Sequence, residues 1–274
     1  MYILVNGKAV KKNHAKVTID SKGFQYGHSV FETIKVDAGK IFFLEDHIER
    51  LQQSCKKVGI ETQVSYGELY DQCNTLLNIN RVTKGVLKIL CAKGDYVDNL
   101  IISSRENTYN KEEYDKGFKL GFADEKRNPY SSLTYIKSGN YLENWLAKEK
   151  GMKAGFKEVI FLNIHNKIAE GAISNIFFVK NNIIYTPDIT CGILPGIMRE
   201  KVIHLARNSK LQTKVGCYNK NELLSADEVF ITNSLLEIMP VSQIEMQKYN
   251  TENNIVTTKL RKAFKVTYLE QKEG

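Results

Sequence analysis

The sequence predicts a mixed α+β fold in two domains, and three features lead there. The chain has 274 residues, enough for one large domain or two modest ones. Segments of period-two alternation stand beside segments whose apolar residues recur every three or four positions. Strands and helices come in clusters rather than in strict alternation. A polar stretch from Glu106 to Gly117 reads as a linker, so the domains are expected at residues 1–116 and 117–274, a smaller N-terminal and a larger C-terminal one.

The chain opens on Ile3-Leu-Val5 and Asn6-Gly7, a strong hairpin signal. Val30-Phe-Glu-Thr-Ile-Lys-Val36 alternates, and Gly39 turns into a strand over Ile41-Phe-Phe43. Leu44, Ile48, Leu51, Cys55 and Val58 keep helical spacing, with Gly59 as the stop. Leu69, Cys73 and Leu76 predict a second helix. Strands over Lys84–Cys91 and Leu100–Ser103 come next. The expected C-terminal domain holds all four prolines, and a helix is predicted over Asn140–Ala154. Strands are expected over Glu158–Leu162, Asn175–Val179 and, past the Asn181-Asn182 turn, Ile183–Tyr185. A helix over Ile197–Asn208, strands over Val229–Ile231 and Ile238–Val241, and a helix over Glu252–Leu269 complete the chain.

Composition narrows the function classes. Hydrophobic residues at 42% and charged residues at 26% exclude a disordered or low-complexity chain. No run approaches the ~18 apolar residues of a membrane span. Met1–Gly7 lacks the basic and long apolar regions of a signal peptide, and unpaired cysteines fit a reducing cytoplasm. The net charge of +8 comes mostly from scattered lysines. A nucleic-acid-binding module would need a clustered basic face with aromatics, and none is seen. The five cysteines form no C-x-x-C pair, so a disulfide scaffold or metal site is not expected. His47 has no companion at ligand spacing.

Four stretches could carry chemistry. Lys137, before Ser138-Gly139 and a predicted helix, is a surface lysine or, if desolvated, an amine able to form a Schiff base. Glu170 precedes a glycine, with Ser174-Asn175 at the start of a strand; these are turn residues or a placed carboxylate with its supports. Gly192-Ile-Leu-Pro195-Gly196-Ile-Met-Arg199 opens a helix whose N-terminus is either a plain start or an anion site. His47 and Arg50 share a helix face, and Arg50 could fork onto a phosphate or pair with Asp46.

In order and spacing these stretches resemble the class IV family of pyridoxal-phosphate enzymes. That family includes branched-chain aminotransferases, D-amino acid aminotransferases and aminodeoxychorismate lyase. The resemblance covers nearly the whole chain, beginning with Tyr26-Gly27-His-Ser-Val-Phe31-Glu32-Thr33. It implies the two-domain class IV fold, with pyridoxal 5'-phosphate in the cleft between the domains and a homodimer. By the same resemblance, Lys137 would bind the cofactor aldehyde and Glu170 would face its ring nitrogen. Ser174 and Asn175, beside Glu170, would also bind the cofactor. Arg50, the backbone N–H groups of Ile197 and Met198, and Asn233-Ser234 would hold the phosphate. Tyr141 would reach the ring hydroxyl.

Within the family, Thr232-Asn-Ser-Leu-Leu-Glu-Ile-Met-Pro-Val241, Lys88 and Arg127-Asn-Pro129 resemble the lyase branch. The lyase reaction yields p-aminobenzoate and pyruvate for folate biosynthesis and implies a functional link to aminodeoxychorismate synthase. Tyr26, Lys88 and Arg105 would then contact the substrate, and Thr33 would donate a proton. His28-Ser29 departs from the Asp-Gly of many relatives. An aminotransferase acting on branched-chain or D-amino acids is the competing expectation.

Overall fold

The computed structural model describes residues 1–61 and 64–269. Two compact units emerge: one is Met1–Thr108 with Ile136–Tyr141, the other Tyr109–Tyr135 with the chain from Leu142 onward. The stretch expected as a linker is thus folded in its second half. Asn110 and Glu113 form a reciprocal capping box that starts a helix, Lys111–Lys116. The Tyr114 hydroxyl bonds the Leu236 carbonyl, which ties that helix to the second unit.

The first unit comprises β1 (Tyr2–Val5), β2 (Lys8–Lys11), α1 (Lys22–Gln25), β3 (Ser29–Asp37), β4 (Lys40–Ile41), α2 (Leu44–Val58), α3 (Tyr66–Asn80), β5 (Gly85–Ala92) and β6 (Asn99–Arg105). The strands form one antiparallel sheet in the order β2-β1-β6-β5-β3-β4. Asn6 and Gly7 both take positive φ, 48° and 77°, as the two-residue hairpin requires. The strand expected over Ile41–Phe43 ends at Ile41, because Phe43 turns into the left-handed region (φ 53°) to start α2. The apolar stripe of α2 packs with Val30, Ile34 and Val36 of β3 in one buried cluster. Each such side chain contributes roughly 1.5–3 kcal/mol. The alternate residues Phe31, Thr33 and Lys35 lie on the opposite, half-exposed face of the strand.

The second unit comprises α4 (Lys111–Lys116), β7 (Phe118–Arg127), α5 (Leu142–Lys153), β8 (Glu158–Asn163), β9 (Ile168–Gly171), β10 (Asn175–Lys180), β11 (Ile183–Pro187), α6 (Ile197–Asn208), β12 (Thr213–Gly216), α7 (Lys220–Leu224), β13 (Glu228–Asn233), β14 (Glu237–Ile244), β15 (Gln247–Lys248) and α8 (Ile255–Phe264). Its sheet runs β12-β11-β10-β13-β14-β7-β8-β9, with β15 on β14. The pairs β11/β12, β14/β7 and β7/β8 are parallel. Strands β7, β9 and β12 and helix α7 were not expected from the sequence. The last helix begins at Ile255, three residues later than expected. There the buried Glu228 carboxylate accepts the N–H groups of Val256 and Thr257 and the Thr257 hydroxyl. Among the described residues no helix is long and apolar enough to cross a membrane.

Candidate active site

Lys137 is fixed by its neighbours' backbone. Phe31 N–H donates to the Lys137 carbonyl at 2.9 Å, and Gly139 N–H to the Ser29 carbonyl at 2.7 Å. The segment after Ile136 therefore lies along the start of β3. A Cβ at Gly139 would clash with Ser29 Oγ, so a side chain there requires Ser29 to rotate or the segment to shift. The half-buried Lys137 amine sits 4.5 Å from the Phe31 ring centroid and 5.7 Å from that of Tyr141. The two rings meet edge to face at 5.6 Å.

The Phe31 face of the sheet gathers further predicted residues. Thr33 is directly opposite Lys88 on β5, and the Lys88 amine also lies 4.5 Å from the Phe31 centroid. Burial, and then the charge of Arg105, lower the pKa of Lys88. Arg105 ends β6 opposite Val86 and donates to the Glu106 carbonyl at 3.0 Å. Tyr26 caps the end of α1 and is exposed.

On the other face, Glu32 projects among Val30, Ile34 and Val36. Arg50 donates to both of its oxygens, Nε at 2.8 Å and Nη2 at 2.6 Å. His47 Nδ1 lies 2.7 Å from Glu32 Oε2, and both side chains are buried. Burial alone would raise the Glu32 pKa. The charge and hydrogen bonds of Arg50, aided by His47, outweigh it and hold the carboxyl near about 2. Burial lowers the His47 pKa, and the Glu32 carboxylate opposes that shift. The Nε and Nη2 edge of the guanidinium that the sequence offered to phosphate is thus engaged by Glu32. The sequence reading missed Glu32 as a partner. Its signal was a carboxylate on the apolar register of an alternating strand.

In the second unit Glu170, at the end of β9, is buried. Its Oε2 accepts the Leu194 N–H at 2.9 Å and the Asn175 side-chain amide at 3.4 Å. Its Oε1 lies 3.6 Å from Arg127 Nε. The Arg127 guanidinium stacks on Phe161 at 3.9 Å and also donates to Glu143. The Asn175 amide also bonds the Leu194 carbonyl at 3.0 Å. Ser174 donates to Glu158, which also accepts the N–H groups of Ala172 and Ile173. Glu158 is a second carboxylate the sequence reading passed over; it fixes the turn that carries Ser174. Asn233 is likewise engaged with backbone: its oxygen accepts Leu235 and Leu236 N–H, and its amide bonds the Ile173 carbonyl.

Gly196 is the N-cap of α6, with no capping side chain, so the first N–H groups of the helix, including Ile197 and Met198, have no side-chain cap. Such a terminus attracts anions through those N–H groups and the helix dipole.

Residues 29–244 match the family model for amino-transferase class IV. The aminodeoxychorismate lyase of Bacillus subtilis (strain 168) is 32% identical over 96% of this chain and 93% of its own. The D-alanine aminotransferase of Bacillus licheniformis is 33% identical over 90% and 89%. The crystal structure of Escherichia coli branched-chain amino acid aminotransferase superposes with a TM-score of 0.93 at 28% identity, covering 99% of this chain and 96% of that one. The chain therefore belongs to the class IV aminotransferase family, whose members use pyridoxal phosphate.

Proposed function

We propose that the enzyme is an aminodeoxychorismate lyase, converting 4-amino-4-deoxychorismate to p-aminobenzoate and pyruvate. The observation that carries this reading is the pair of amines, Lys88 and Lys137, each 4.5 Å from the Phe31 centroid, with Thr33 opposite Lys88. The substrate is a compact ring with two carboxylates. It needs one amine for chemistry and a further cation to hold it in place. The 32% identity to the Bacillus subtilis lyase supports the same assignment.

The donor set suits pyridoxal phosphate: an amine for the aldehyde, a buried carboxylate for the ring nitrogen, and a guanidinium and an uncapped helix terminus for the phosphate. By the family resemblance, Lys137, Arg50, Glu170, Ile197 and Met198 would hold it. Asn233 is committed to backbone, so the additional phosphate contact falls to Ser234. Ser174 and Asn175 act by fixing the Glu170 turn. When bound, the cofactor supplies an electron-withdrawing ring that stabilises negative charge on the carbon bearing the substrate nitrogen. Glu170, ionised, favours a proton on the ring nitrogen.

Lys137 Nζ takes the proton from that carbon as general base. Lys88 and Arg105 hold a substrate carboxylate through charge-assisted hydrogen bonds. Thr33 Oγ1 donates a proton to the departing enolpyruvate, and Tyr26 and Tyr141 border the substrate. The C–O bond to enolpyruvate breaks as the ring becomes aromatic, so no keto-acid acceptor is consumed.

The chain is further proposed to act as a cytoplasmic homodimer. The exposed stripe Leu142, Trp145, Leu146 and Met152 on α5 supports association, and sedimentation would show the state. The reaction that supplies its substrate places an amine on the chorismate ring, as aminodeoxychorismate synthase does. The deciding experiment compares efficiencies on one preparation. Aminodeoxychorismate without keto acid should outperform leucine or D-alanine with 2-oxoglutarate by at least ~100-fold, about 2.7 kcal/mol of barrier. Faster transamination assigns the aminotransferase branch instead.

A further inference from the structure

Two cysteines outside the proposed chemistry lie side by side. Cys191 and Cys217 have their sulfurs 3.1 Å apart, against about 2.05 Å in a disulfide. They are brought together by the parallel pair β11/β12: Pro187 is in register with Gly216, and Asp188 N–H bonds the Gly216 carbonyl. Cys191 is buried in a cluster with Ala147, Phe161, Ala169 and Ile193, whereas Cys217 is exposed. The other three cysteines are buried.

Cys191 directly precedes the segment that contacts Glu170. Gly192, at φ +86°, turns the chain into Ile193-Leu194-Pro195-Gly196. That strap carries the Leu194 N–H that grips Glu170 and ends at the N-cap of α6. Cys191 itself is held by its carbonyl, which accepts from Asn163, and by its N–H, which donates to Asp188. A movement of Cys191 is therefore transmitted along the five residues to Gly196.

We propose that Cys191 and Cys217 are a peroxide-oxidised dithiol pair, whose disulfide shifts the 192–196 strap and loosens its grip on Glu170 and on a phosphate at α6. Cys217 thiolate attacks a hydroperoxide, the O–O bond breaks, and Cys217 becomes a sulfenic acid. Cys191 sulfur then attacks Cys217 sulfur, the S–O bond breaks, and the hydroxide leaves as water with the Cys191 proton. Two thiols lose two electrons, and hydrogen peroxide becomes two waters. The order suits the surroundings. Burial, and then the hydrogen bond and charge of Cys217, push Cys191 up to about 12, and conversion of Cys217 to sulfenic acid removes its share of that shift. Closing the gap from 3.1 Å moves the backbone or side chains by up to about 1 Å, enough to break the Leu194–Glu170 bond.

Disulfide formation stands apart from the lyase reading; the effect on ligand rests on the proposed phosphate site. The experiment treats purified full chain with hydrogen peroxide and maps peptides without reduction. It also titrates apo-protein, reduced and oxidised, with pyridoxal phosphate. The expected result is a reducible Cys191–Cys217 cross-link with the other cysteines intact, and affinity for pyridoxal phosphate about three- to tenfold weaker, the effect of one lost hydrogen bond. Cys217→Ser, at an exposed position, should abolish both, and Cys191→Ala should do the same. Sulfinic acid on Cys217 without the cross-link overturns the pair. A cross-link that leaves affinity unchanged overturns its influence on the strap. Reduced protein that does not bind pyridoxal phosphate counts against the cofactor assignment alone, and the mapping still decides the pair.

Discussion

Glu32 and Arg50, 18 residues apart, are joined by two charge-assisted hydrogen bonds, 2.8 and 2.6 Å long, where α2 crosses β3. The pair fixes the direction of the guanidinium and places a carboxylate in an otherwise apolar register. Its depressed pKa has a stability consequence. The Glu32 carboxyl falls from the ordinary 4.5 to about 2 on folding, so the unfolded chain binds its proton first as pH drops. The stabilisation is complete above pH 4.5 and is lost as pH falls towards 2. At ~1.4 kcal/mol per unit it amounts to about 3 kcal/mol. His47 acts in the same direction, because its lowered folded pKa means that the unfolded chain also gains that proton first below 6.5. Urea unfolding from pH 7 to 3 should show this slope. Glu32→Gln should flatten the part below 4.5 and cost roughly 3–5 kcal/mol at pH 7, as removing one partner of a buried ion pair does. An unchanged pH slope in the variant would remove the linkage.

Lys137 is expected to be indispensable for holding the cofactor, because its amine is aimed over Phe31 by two backbone hydrogen bonds. Lys137→Ala should lose the visible absorption of lysine-bound pyridoxal phosphate and nearly all turnover. A spectrum and rate like those of the parent protein would displace Lys137 from its role.

Glu170→Gln tests charge with shape preserved. The amide oxygen can still accept the Leu194 N–H, so the turn should stay in place. If Glu170 faces the cofactor's ring nitrogen, removing the negative charge would disfavour a proton there and weaken the ring's electron-withdrawing power. Retained cofactor with turnover lower by roughly 100-fold or more, about 2.7 kcal/mol, is expected from absorbance and steady-state rates. Full activity would show that the carboxylate does not face the ring.

These residues were unequally legible in the sequence. Helix α6 was readable to the residue, because Pro195-Gly196 marks its start and its buried positions keep helical spacing. Strand β7 was not: Gly121 and the run Asp124-Glu-Lys-Arg127 look like loop. Gly121 is required there because the Phe156 ring lies 2.6 Å from where a Cβ would be, a constraint set by a residue 35 positions away. Lys137, Glu170 and Arg50 stood out through motif order. Glu32, Glu158 and Asn233 act by hydrogen bonds to distant backbone or side chains, and only the packing of helix on sheet and strand on strand supplies those partners. The capping box of Asn110 and Glu113 was readable in principle, but no apolar period came after it.

The close approach of Gly139 to Ser29 gives a test of how the lysine segment is held. A Cβ at position 139 would lie 2.1 Å from Ser29 Oγ, 3.0 Å from the Gly27 carbonyl and 3.5 Å from Ser29 Cβ. Gly139→Ala must therefore push the Lys137 segment off β3 or rotate Ser29 away, at the 1–3 kcal/mol typical of overpacking. Ser29→Ala alone removes only a small hydroxyl and should be milder. In the double variant the 2.1 Å clash is absent, and the Gly27 carbonyl at 3.0 Å remains the tightest neighbour. The two substitutions should then couple favourably by about 1 kcal/mol or more, since contacting sites are not additive. Urea midpoints of the four proteins give the cycle, and pyridoxal phosphate affinity measured on the same set reports whether Lys137 regains its place. Strict additivity in both measurements would mean that Gly139 does not hold the lysine segment through Ser29.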